Sequence, residues 1–223
     1  MGKSILTAKQ SDFLELAKKD SWLTKNFFLG GGTALSEFYL RHRLSEDLDF
    51  FSEKEINERS LRSFLRKISG KLGIKGFEKR DFYGLEIYLL KFSRNQTLKV
   101  DFSYYPFPPV EKWTFLGKLR VASLYDIAVD KLQTIGAKAR PRDYIDLYFI
   151  LKEKGYKVNK ILGDIRAKFD WTIEPSSLAS SFMMIKDLKT GDFPKMLKPL
   201  DRKEMENFFL GLAKSLEKEI FVG

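Results

Sequence analysis

Two aspartates one residue apart, Asp47 and Asp49, stand inside the apolar run DLDFF (47–51). A strand period of two puts both carboxylates on one face, with Leu48 and Phe50 turned to the other, toward a core. Two such charges repel each other, and a shared divalent cation relieves the repulsion; ligation by oxygen alone suits a hard ion such as Mg²⁺. The same Asp-x-Asp pattern also fits a solvated strand face. Upstream, Gly30, Gly31 and Gly32 follow a strand-like segment and lead into a helical one. Their backbone can turn tightly and bring the free N–H groups of a helix start to an anion, with Thr33 adding a hydroxyl. A merely permissive turn is the alternative. Phosphoryl transfer with two metal ions asks for a third carboxylate. Asp101, between Val100 and Phe102 in LKVDFSYY, shares a strand face with Lys99 and Ser103 and could complete the set, or be an ordinary edge-strand aspartate. Asp81, in the polar segment EKRDF, is a poorer rival.

Helices and strands must position these residues. Periodicity predicts a helix over 9–19, a strand at 26–29, a helix from Thr33 to Arg41 and a strand at 47–51. An amphipathic helix around Leu61, Phe64, Leu65 and Ile68 and strands at 85–92 and 98–104 follow. After the proline-rich YYPFPPVEKW the pattern becomes helical, starting at Ser123-Leu124-Tyr125-Asp126, which is similar to a capping box. The expected fold class is therefore α+β: a sheet-and-helix core over residues 1–120 and a mostly helical part over 121–223.

The helical part carries a second charged block, DIAVDKLQTIGAKARPRDYIDLYFIL. Apolar positions at Ile127, Ala128, Leu132 and Ile135 leave Lys131 to reach toward an anion. Pro141 suits a first helical turn. Asp143 and Asp146, and equally Arg142 and Asp146, are spaced to share a helix face. An ordinary Arg142–Asp146 helix pair with Lys131 as surface charge is the alternative.

Composition narrows the chemistry. The 223 residues hold no cysteine and one histidine, His42, which excludes disulfides, thiolate zinc sites and a Cys nucleophile. His42, between Arg41 and Arg43, reads as a surface or packing residue. No apolar run is long enough to cross a bilayer and no signal-peptide pattern opens the chain, so a soluble, cytoplasmic protein is expected. Forty basic against thirty acidic residues, a formal +10, favour a polyanionic partner. Lys112, Trp113, Lys118, Arg120, Lys138, Arg140 and the segment LGDIRAKFDW are candidate RNA contacts, with core packing expected for Phe169 and Trp171.

Gly31-Gly32-Thr33-Ala34-Leu35 followed by Arg43-x-Ser45-x-Asp47-Leu48-Asp49-Phe50 resembles the AbiEii-type abortive-infection nucleotidyltransferases, within the DNA-polymerase-beta-like superfamily. Fourteen residues separate Gly32 from Asp47, and the Lys131-Leu132 and Arg142-Asp143-x-x-Asp146-Leu147 pieces resemble the family's second block. The resemblance covers segments of Phe27 to Leu151. It implies a nucleotidyltransferase that takes a nucleoside triphosphate (NTP) with Mg²⁺, two ions being expected, on Asp47, Asp49 and Asp101. Gly31, Gly32, Thr33 and Ser45 would meet the phosphates, Lys131 would contact and neutralise them, and Arg142 and Asp143 would help form the nucleotide site. Asp146 is preferred for a direct role. It further implies a toxin restrained by a separate antitoxin, with transfer RNA as the acceptor. A small-molecule or protein acceptor, and a non-catalytic RNA- or partner-binding module, remain alternatives.

Overall fold

Alternation of apolar residues builds the first layer of the structure, a computed structural model that describes residues 4–220. Seven strands, β1 (Phe28–Gly30), β2 (Leu48–Ser52), β3 (Gly76–Phe82), β4 (Leu85–Lys91), β5 (Thr97–Tyr104), β6 (Thr114–Leu116) and β7 (Leu119–Val121), form one mixed sheet. Their order is β3-β4-β5-β2-β1-β7-β6. The β1–β2, β3–β4, β4–β5 and β6–β7 pairs are antiparallel, whereas β2–β5 and β1–β7 are parallel.

One face of this sheet makes the core. Leu48 and Phe50 of β2 and Leu98, Val100 and Phe102 of β5 are buried, so the polar residues between them face the other way. Phe50 stacks on Phe102 and meets Phe13 of α1 (Ala8–Ala17), which meets Phe64 of α4 (Glu58–Leu72) edge-on. The single buried stripe of α4, Leu61, Phe64, Leu65, Ile68 and Leu72, has the helical spacing read in the sequence. Thr7 and Gln10 cap α1 reciprocally, and Asp20 caps the short α2 (Ser21–Asn26) by accepting from the N–H groups of Trp22 and Leu23. Immediately after β1 comes α3 (Gly31–Leu35), whose helical path continues as a π-helical turn over Ser36–Leu40.

Two compact units result. One comprises the chain up to Tyr39 together with Leu44–Ser123; the other comprises Leu40–Arg43 together with the chain from Leu124 onward. The second unit is helical: α5 (Leu124–Lys138), α6 (Pro141–Lys154), α7 (Val158–Phe169), α8 (Pro175–Met183) and α9 (Arg202–Ile220). Tyr144 and Phe182 both pack on Phe209, joining α6 and α8 to α9. The Leu40–Arg43 segment is tied in by the His42 carbonyl, which accepts from the N–H groups of Leu197 (2.8 Å) and Lys198 (3.0 Å). Trp171 departs from the expectation of core packing, since it is 38% exposed beyond the end of α7. No helix among the described residues is long and apolar enough to cross a membrane.

Candidate functional site

The glycine turn and the aspartates meet through strand register. Gly30 of β1 lies opposite Asp49 of β2, and Asp49 lies opposite Asp101 of β5, so one line across three adjacent strands carries the turn and two acids. All three lie on the face away from the Phe50–Phe102 core. Gly31 then adopts φ +66°, and a Cβ built there would lie 2.1 Å from Asp49 Oδ2. Only a residue without a side chain lets the backbone turn against that carboxylate.

Thr33 has a different task from the one expected. Its side chain is wholly buried and its hydroxyl donates to the backbone carbonyl of Asp47, so it fixes the segment entering β2 and leaves only its backbone for a ligand. Ser45 is held in the same segment by its carbonyl, which accepts from Gln10 Nε2 at 2.9 Å. Partly buried hydrogen bonds at both places define the approach of Asp47.

Lys99 is the side chain beside these acids that sequence reasoning left in the background. Its ammonium lies 3.0 Å from Asp47 Oδ2 and 2.6 Å from Asp101 Oδ2, bridging the acids. Burial works against the Lys99 charge, yet the two carboxylates outweigh it and raise the Lys99 pKa above its ordinary value. The signal available in the sequence was the shared strand face of Lys99 and Asp101; the closeness of Asp47 needs the β2–β5 pairing. Among the described residues no three His, Cys, Asp or Glu side chains are gathered as a ready metal cluster. Like charges do not assemble without a counter-charge, and here Lys99 supplies it. The donor set nonetheless fits a divalent ion. Asp47 and Asp101 already share one cation, and Asp49 rests in the cradle that Gly31 leaves open.

The second block folds into a buried ion network inside the helical unit. Asp146 is fully buried. Its Oδ1 accepts from Arg43 Nε (2.6 Å) and lies 2.8 Å from His42 Nε2, while its Oδ2 accepts from Arg43 Nη2 (2.8 Å) and from Lys131 (2.6 Å). Lys131 is also 2.7 Å from Asp143 Oδ1, and Asp143 Oδ2 accepts from the backbone N–H (3.1 Å) and Nε (3.0 Å) of Arg140. Burial pushes both carboxyl groups upward, but the Lys131 charge overrides it, helped at Asp143 by Arg140 and at Asp146 by Arg43 and His42, so both are held below the ordinary carboxylate value.

The Asp146 oxygens are engaged by Arg43, His42 and Lys131 rather than by Arg142. Arg142 stands half-buried in the first turn of α6, which begins at Pro141 as read in the sequence. His42 is buried rather than on the surface.

Comparison with known proteins places the chain in a family. The family model described as "Nucleotidyl transferase AbiEii toxin, Type IV TA system" matches residues 15–217. An uncharacterized protein of Aquifex aeolicus (strain VF5) is 28% identical over 172 residues, which span 75% of this chain and 77% of that protein. Among solved structures, JHP933 from Helicobacter pylori is similar with a TM-score of 0.58 and 22% identity, covering 95% of this chain and 91% of that one. A further H. pylori structure, of a nucleotidyltransferase candidate, has a TM-score of 0.60 and 22% identity, covering 96% and 97%. At these identities the two structures speak for the fold. With a family match over nearly its whole length, the chain belongs to the AbiEii nucleotidyltransferase toxin family.

Proposed function

We propose that the protein transfers a nucleotide from an NTP to the end of an RNA, with transfer RNA as the acceptor and a separate antitoxin as its restraint. The observation that supports the reading most is the line Gly30–Asp49–Asp101 with Gly31 packed against Asp49. A turn stripped of side chains beside clustered acids is what a metal-bound polyphosphate requires. Asp47, Asp49 and Asp101 are the residues that would hold Mg²⁺, which when bound neutralises triphosphate charge.

The chain's own residues do the rest. Gly31, Gly32 and Thr33 offer backbone to the phosphates, with Ser45 beside them. Asp101 orients the acceptor hydroxyl and takes its proton. The acceptor oxygen bonds to the α-phosphorus as the bond from that phosphorus to the bridging oxygen breaks, and pyrophosphate leaves with the electron pair. In the helical unit Lys131 is assigned the neutralisation of phosphate charge, Asp143 and Asp146 the fixing of its ammonium, and Arg142 a supporting place near the nucleotide.

The test is incubation with Mg²⁺ and each labelled NTP, with and without total RNA, beside Asp49→Asn. Label in a transfer-RNA band that disappears in the variant is the expected result. Label retained at full rate by a folded D49N protein would overturn the assignment of the acids. Label on small molecules or protein only would overturn the RNA acceptor.

A further inference from the structure

We propose that Lys99 is a resident counter-cation for the acid pair Asp47 and Asp101, which a divalent ion must displace in order to load. The inference rests on reading these acids as the metal site and adds an occupant for the metal-free state. Nothing in the AbiEii match assigns a role to this lysine.

Three observations carry it. The ammonium contacts the Oδ2 atoms of both acids, at 3.0 Å and 2.6 Å, so it occupies the space between two oxygen ligands as a bridging ion does. The bridge is not a local accident of one strand: Lys99 and Asp101 are two residues apart, but Asp47 is 52 residues away and is brought in by the parallel β2–β5 pairing. The acids are also shielded, Asp101 being 13% and Asp47 22% exposed, so their charge is felt strongly and needs a partner. Lys79 offers the contrast. It too collects carboxylates, Glu58, Asp81 and Glu86, yet Glu58 and Asp81 are 47% and 63% exposed and water can serve them.

The consequence is an exchange. Without a metal, Lys99 keeps Asp47 and Asp101 together and prevents their repulsion from opening the β2–β5 face. A divalent ion brings twice the charge to the same oxygens, and the ammonium has to withdraw as it binds. Lys99 is thus a positioning residue for the acids, and its presence weakens metal binding to the protein alone.

Binding of Mn²⁺ to the full chain without NTP, followed by the loss of the free-ion signal in electron paramagnetic resonance, tests this on wild type, Lys99→Met, Lys99→Arg, Lys79→Met and D49N. Removing the competing charge in K99M is expected to tighten Mn²⁺ binding about tenfold. K99R, which keeps the cation, and K79M should stay near wild type. In the presence of a chelator K99M should melt earlier than wild type, and Mn²⁺ should restore more of its stability than it does for wild type. That reversal separates counter-charge from a packing role, which metal would not repair. K99M that binds Mn²⁺ no more tightly than wild type overturns the inference while leaving the metal site standing. Failure of every folded protein to bind Mn²⁺, or wild-type affinity in D49N, overturns the metal-site reading and the inference with it.

Discussion

Asp49 Oδ2 occupies the space where a side chain on Gly31 would begin, 2.1 Å from the Cβ position. Gly31→Ala therefore meets two obstacles: the φ of +66° and the carboxylate itself. The backbone strain costs about 1–2 kcal/mol, and relief of the overlap moves Asp49 out of line with Asp101. A displacement on the order of 1 Å suffices for about a 100-fold loss of nucleotide transfer. Gly70→Ala, which meets nothing within 4 Å inside α4, is the matching control and should stabilise by about 0.5–1 kcal/mol. Equal transfer rates in the two variants would refute the close-approach role of Gly31.

Asp146 links Arg43, His42 and Lys131, so Asp146→Asn leaves two buried cations facing a neutral amide. The expected destabilisation is about 3–5 kcal/mol, because removing one member of a buried ion group strands the charges that remain. Arg43→Lys should also be costly, since an ammonium cannot reproduce the paired Nε and Nη2 bonds. Urea unfolding measures both. An Asp146→Asn protein as stable as wild type would show that the network carries no net stability.

The same pair of sites shows what could and could not be read without coordinates. Asp49 and Asp101 were legible because each lies in a run of apolar residues with period two, and period two fixes the face. The helix start at Pro141 was legible because proline has no N–H to lose there. By contrast, Arg43 and Asp146 are 103 residues apart, and nothing local announces that a piece of chain between α3 and β2 belongs with the helical unit. The strand β3 escaped notice because it is exposed at all but one position and so has no alternation, and β6 and β7 are three residues each. The capped α2 went unseen because six residues are too few to show a period. Asp146 could be set on one helix face with Arg142 because spacing along a helix can be counted, whereas competition from a distant guanidinium cannot.

If RNA is the acceptor, the basic surplus must act through phosphates, and affinity must then fall with salt. Six to ten such contacts predict a loss of about 10³–10⁵ in affinity between roughly 50 and 200 mM salt. Fluorescence anisotropy with transfer RNA across that range reads the slope. A flat response would place the recognition elsewhere and remove charge as its basis.

His42 makes the stability of the fold sensitive to mild acid. Burial lowers its pKa below the ordinary 6.5, and although the Asp146 carboxylate favours the charged ring, the nearby Arg43 and Lys131 charges add to the lowering. Hydrogen bonding agrees: Nε2 donates to Asp146 Oδ1, while the buried Nδ1 has no hydrogen-bond partner among the described residues, so a proton there would be an unpaired buried donor. The folded pKa is depressed, so below 6.5 the unfolded chain takes up a proton that the folded chain refuses. The contribution is present above that value and is lost as pH falls, by up to about 1.4 kcal/mol per pH unit until the folded ring titrates. Asp143 and Asp146, also depressed, act only below the ordinary 3.8 and do not overlap this range. Since the chain has one histidine, the urea midpoint measured from pH 7.5 down to about 5.5 isolates it. The midpoint should fall in wild type and fall less in His42→Gln, whose amide keeps a donor toward Asp146 but does not titrate. An unchanged acid slope in that variant would mean that the ring is already charged in the folded protein, with Nδ1–H served by a partner such as water.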